Sequence, residues 1–108
     1  MRQIKESDWK ILRKLHRIAL DRFCEKVLEE IDRIKSDKTK GFHEKYLDIY
    51  DVTRRRDKEM ARIFDNLRRS VAFEQLALMK GYGLLTEEEL SQLSQETRNL
   101  VEVLLGNS

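Results

Sequence analysis

Residues 42–80 read FHEKYLDIYDVTRRRDKEMARIFDNLRRSVAFEQLALMK, with neither proline nor glycine. Tyr46, Ile49, Tyr50, Thr53, Met60, Phe64, Leu67, Val71 and Leu78 recur along it at three-, four- and seven-residue steps. Such steps bring side chains onto one face of an α-helix. The spacing predicts a single helix from about Phe42 to Lys80, on the order of 55 Å long at 1.5 Å per residue. Arg55, Lys58, Arg62 and Arg69 fall together on the opposite face. Towards the end the pattern changes. Phe73 and Leu76 lie where the basic face had been, so Val71–Met79 is apolar nearly all round and must be covered. A third helix or a second subunit is needed there, which makes Phe73, Leu76 and Met79 the expected interface.

The flanking segments follow from this helix. Upstream, Leu15, Ala19, Phe23, Val27 and Ile31 are spaced four apart, with Trp9, Leu12, Leu20, Leu28 and Ile34 widening the stripe. They predict a first helix from an N-cap at Ser7 or Asp8 to about Lys35. Ser36–Gly41 is a short loop, so the two helices are expected to be antiparallel neighbours. Downstream, Gly81-Tyr82-Gly83 stops the second helix, with Gly81 placed for a left-handed residue. Thr86-Glu87-Glu88-Glu89 then has the spacing of a capping box. Leu90, Leu93, Thr97, Val101 and Leu104 outline a third helix, continuous or broken near Ser94. The expected architecture is all-α: one domain over 1–108, an antiparallel hairpin of two long helices with a third, C-terminal helix.

Composition agrees. Charged residues make up 39% of the chain, apolar residues 40%, and there is no proline. A β-rich domain would need turn punctuation every eight to twelve residues or so, and it is absent. No run approaches the roughly eighteen apolar residues that span a bilayer, and the first residues lead into no signal-peptide core. With the single Cys24, this points to a cytoplasmic protein without membrane attachment. The net charge of +2 favours no polyanion, but its distribution is uneven. Residues 54–69 carry seven basic side chains against three acids, and residues 81–108 carry five glutamates against one arginine.

Three constellations bear on chemistry. Arg55, Lys58, Arg62 and Arg69 along one side of a rod suit a phosphate backbone or an acidic partner. Asp51, Glu59 and Asp65 lie at ion-pairing distance in sequence, and no aromatic residue interleaves to stack on bases. Asp57 stands at the edge of the apolar stripe between Tyr50 and Phe64, so a buried carboxylate bonded to the Tyr50 hydroxyl, or to an arginine of the first helix, is expected. Cys24 lies between Arg22 and Lys26 beside Glu25, and a nucleophilic role would require His16 or His43 to approach it. It reads as a small buried or boundary thiol. His43 and Asp57 are fourteen residues apart, roughly 21 Å along a helix, too far to share a metal. No phosphate loop or metal-ligand spacing appears. The residues therefore indicate no catalytic group, no metal and no cofactor.

Glu6-Ser7-Asp8-Trp9-Lys10, Leu20-Asp21-Arg22-Phe23-Cys24, Val27-Leu28-Glu29-Glu30-Ile31, His43-Glu44-Lys45-Tyr46-Leu47, Phe64–Ser70 and Gly83–Leu90 resemble a family of short bacterial proteins without an established activity. The resemblance runs over most of the chain. Some members carry a peptide methionine sulfoxide reductase label. Those reductases present their thiol in a Gly-Cys-Phe-Trp motif of an α/β fold, whereas Cys24 sits in Arg22-Phe23-Cys24-Glu25 of a helix, so no catalytic residue carries over. What the sequence supports is a non-enzymatic interaction or scaffold protein, expected to be a homodimer, that binds itself or a protein partner through helical surfaces. Nucleic-acid association through the basic stripe is the alternative.

Overall fold

The computed structural model describes residues 3–106. Its elements are α1 (Glu6–Lys35), α2 (Phe42–Phe64), a single 3-10 turn (Arg69–Val71), α3 (Ala72–Gly81), α4 (Glu87–Leu90) and α5 (Gln95–Leu104). The all-α class and the antiparallel hairpin are as read from the sequence: α1 packs along α2, and α3 packs against α5, α1 and α2.

The single helix expected over 42–80 is two helices. α2 ends at Phe64, Asp65 is extended, and Asn66 has a left-handed φ of 59°. Asparagine accepts that region better than other side-chain-bearing residues. Breaking a helix leaves carbonyls without intrahelical donors, and two side chains from neighbouring helices satisfy them. His16 of α1 donates Nε2–H to the Phe64 carbonyl at 2.9 Å, and Gln75 of α3 donates Nε2–H to the Asp65 carbonyl at 3.2 Å. The chain then turns through Arg69–Val71 and re-enters a helix as α3.

The core lies at this end of the molecule. Ile4, Leu12, Leu15, Ala19 and Phe23 meet Ile63 and Phe64, then Ala72, Leu76, Ala77 and Met79 of α3, and finally Leu84, Leu90, Leu93 and Val101. Phe23 sits edge-on to both Phe64 and Tyr82. The segment that is apolar nearly all round is thus covered from several sides by its own chain.

Its exit is a glycine-based helix stop. Leu84 N–H bonds the Met79 carbonyl at 3.0 Å and Gly83 N–H bonds that of Lys80 at 2.9 Å. The left-handed residue is Gly83, with φ 71°, rather than Gly81. The capping box at Thr86 and Glu89 is present, and the last helix is broken, with Ser94 capping α5.

Beyond Phe23 no residue of α1 is fully buried; Val27 still packs against the core, and Glu30, Ile31 and Ile34 are half-covered. The distal half of the hairpin is therefore a two-helix arm. It accounts for the elongated outline of 52 × 25 × 25 Å.

Candidate functional site

On the arm, α2 packs along α1 with Val52 buried and Arg56 half-buried. Arg56 spans the two helices, donating to Glu30 at 3.0 Å and to Glu59 at 2.6 Å. These carboxylates hold the guanidinium firmly protonated, with its pKa raised above the ordinary arginine value. The apolar stripe read from the sequence is rotated away from this contact. Its second half, from Met60 onward, reaches the core, but its first half does not. Tyr46 is 66% exposed, Tyr50 55% and Phe42, one turn earlier, 90%. Phe42, Tyr46 and Tyr50 are spaced by four and form an aromatic ridge along the arm, with Leu47 on α2 and Leu28 on α1 also exposed. The sequence carries one sign of where the cover ends: Asp57 interrupts the stripe between Thr53 and Met60.

Asp57 is exposed, and neither it nor Tyr50 is hydrogen-bonded to the other, which corrects the expected buried pair. The buried carboxylate of this protein is Asp8, 2% exposed. It lies inside the first turn of α1, not at the cap position expected for Ser7 or Asp8; the helix starts at Glu6 after Lys5. Asp8 receives Ser94 N–H at 2.9 Å, the Ser94 hydroxyl at 2.6 Å and the Thr97 hydroxyl at 2.6 Å. Burial pushes its carboxyl up, but those hydrogen bonds and the charge of Lys5 outweigh it and leave the group below the ordinary carboxylate range. A second polar tie joins the same halves. Arg22 of α1 grips Glu89 with two hydrogen bonds of 2.6 and 2.9 Å and donates to the Leu84 carbonyl. Chiefly through that grip, the Glu89 carboxyl is lowered to about 2.

The basic stripe does not survive as one surface. Arg55 and Lys58 are exposed on α2, and Arg62 donates to the Tyr82 hydroxyl at 2.8 Å. Arg69 lies past the helix break, bridged to Glu6 at 2.7 Å and bonded to the Ile4 carbonyl. The helix break removes the register that would have aligned it with the others. The expected interface at Phe73, Leu76 and Met79 is also corrected. Leu76 and Met79 are fully buried in their own chain, and Phe73 is half-buried against the same core.

Cys24 is half-buried, in a depression lined by Asp21, Glu25, Leu28, Glu29 and Asp32. His16 is turned to Phe64, whose ring it also meets edge-on at 5.3 Å between centroids. His43 is exposed on the arm. Among the described residues no group of three His, Cys, Asp or Glu side chains is placed to hold a metal ion. Nor is any described helix long and apolar enough to cross a membrane.

Compared with known proteins, the chain matches no family model, no curated protein and no solved structure.

Proposed function

We propose that this chain is a non-enzymatic interaction protein that acts by protein–protein contact, and that the surface it uses is the aromatic ridge of the arm, with a second copy of the chain as its partner. One observation carries the reading: Phe42, Tyr46 and Tyr50 stand uncovered in a row on a two-helix projection, while Val52 of the same helix is buried. At roughly 150–250 Å² for each aromatic side chain, the three expose on the order of 400 Å². That is about half of what one partner contributes to a standard interface. Exposed aromatic residues in a row are costly to leave in water and are typical anchors of protein interfaces. A symmetric contact is the economical form, because a two-fold axis across the ridge covers both copies at once. The compartment we propose is the cytoplasm, where the lone Cys24 has no second thiol in its own chain to pair with.

Mixing tagged and untagged chains tests the reading. Tagged wild-type protein is expected to retain untagged wild-type protein on an affinity resin, and to release it when the untagged chain carries Tyr46→Ser and Tyr50→Ser. Both tyrosines are exposed, so that variant keeps its fold and its melting temperature. Equal retention of the variant would place the contact elsewhere, and no retention of wild type would remove self-association.

A further inference from the structure

Between Asp8 and Asp21, α1 contains no acidic residue, while Lys10, Arg13, Lys14 and Arg17 recur at i, i+3, i+4 and i+7. That spacing gathers four cations on one side of the helix over about 10.5 Å of axis. All four are exposed, and among the described residues none of their side chains has a carboxylate or carbonyl partner. With His16 and Leu67 they surround a depression of about 540 Å³ whose lining contains no acid. Its floor is firm, because His16 is fixed between the Phe64 carbonyl and the Phe64 ring.

Other cations differ from this face in two ways: Arg55 and Lys58 are exposed too, but Asp51, Asp57 and Glu59 lie within four residues of them on α2. Arg22, Arg56, Arg62, Arg69 and Lys80 are all spent on partners within the chain. Like charges one turn apart repel, so four unpaired cations together leave an unfavourable field that an external polyanion relieves. The side chains are long and solvated, and no buried polar group stands among them to orient a small ligand. No aromatic ring lines the depression apart from His16, so nothing there stacks on an unpaired base. Duplex nucleic acid carries one charge per roughly 1.7 Å of axis, so about 10.5 Å of helix face meets about six phosphates. We propose that this face of α1, not the stripe on α2, binds the phosphodiester backbone of nucleic acid without reading its sequence. The surface is separate from the aromatic ridge, so the two assignments stand or fall independently.

Fluorescence anisotropy of a labelled duplex of about 20 base pairs, titrated with the full chain, tests it. Four neutralised phosphates correspond to a log–log salt slope near −3.6, so affinity is expected to fall ~100-fold between about 50 and 200 mM salt. Arg13→Glu with Arg17→Glu is expected to weaken binding at least ~10-fold, while Arg55→Glu with Lys58→Glu changes it less than ~3-fold. Far-UV circular dichroism checks that both variants fold; should the first misfold, Arg13→Gln with Arg17→Gln is read in its place. The proposal is overturned by no anisotropy change with micromolar protein at low salt, or by equal losses in the two variants. Displacement of the duplex by poly-glutamate at matched charge concentration would also overturn it, because an acidic protein would then be the better ligand.

Discussion

Asp8 shows how much one residue can carry in a chain this small. It takes three hydrogen bonds from the start of α5, 86 to 89 positions away, and so pins the two ends of the described chain together. Asp8→Ala strands the Ser94 N–H and two hydroxyls in a buried site, and is expected to lower the unfolding free energy by about 2–4 kcal/mol. Asp8→Asn should cost less, and urea denaturation measures both. The pH dependence follows from the sign of the shifts. Asp8 and Glu89 both have carboxyls lowered by folding, so their contribution is complete above the ordinary values of 3.8 and 4.5. It disappears as pH falls through the lowered values, which for Glu89 is about 2. Stability is therefore expected to drop between roughly pH 4.5 and 2, and a variant with Asp8→Asn and Glu89→Gln should be flatter across that window. The sequence marked Asp8 as a polar residue at a helix start, which suggests a cap. Its actual partners are too distant in sequence for any local pattern to reveal.

Among the elements, the break after Phe64 shapes the molecule most. The apolar period runs through it from Met60 and Phe64 to Leu67 and Val71, because α2 and the linker after it place Met60, Phe64 and Leu67 against the same core. Periodicity alone therefore reads one helix where there are two. The available signal was Asp65-Asn66, a pair poorly suited to a helix interior, and its strength depended on His16 and Gln75 arriving from other helices. The local devices were legible: the loop at 36–41 and the capping box at Thr86 and Glu89 each lie within a few residues of sequence, and a break near Ser94 was one of two readings. The break can be probed directly. His16→Ala removes the donor to the Phe64 carbonyl and is expected to cost about 1–3 kcal/mol. Asn66→Ile forces a β-branched residue into the left-handed region and should cost about 1–2 kcal/mol, whereas Asn66→Gly should be close to neutral. Thermal denaturation of the three variants gives that order, with His16→Ala also relaxing protection of the last amides of α2 in hydrogen exchange.

At the scale of the whole molecule, the core and the arm divide the work. The core end is closed by α3, α4 and α5, so the apolar segment 71–79 that had suggested a second subunit is satisfied within its own chain. Val103 and Leu104 of α5 remain exposed there, but the exposed aromatic row is at the other end, where α2 presents Phe42, Tyr46 and Tyr50. Sequence alone located an amphipathic helix there but could not tell a buried stripe from an exposed one. That depends on how α1 is rotated against α2, and the rotation is set by Val52, Arg56 and Ile63. The central claim is that this ridge joins two copies. Light scattering on protein eluting from a size-exclusion column tests it most directly. A mass near twice 13.0 kDa is expected for wild type and a single-chain mass for Tyr46→Ser with Tyr50→Ser. A wild-type chain that remains a monomer at high micromolar concentration, or a variant that still dimerises, would contradict it.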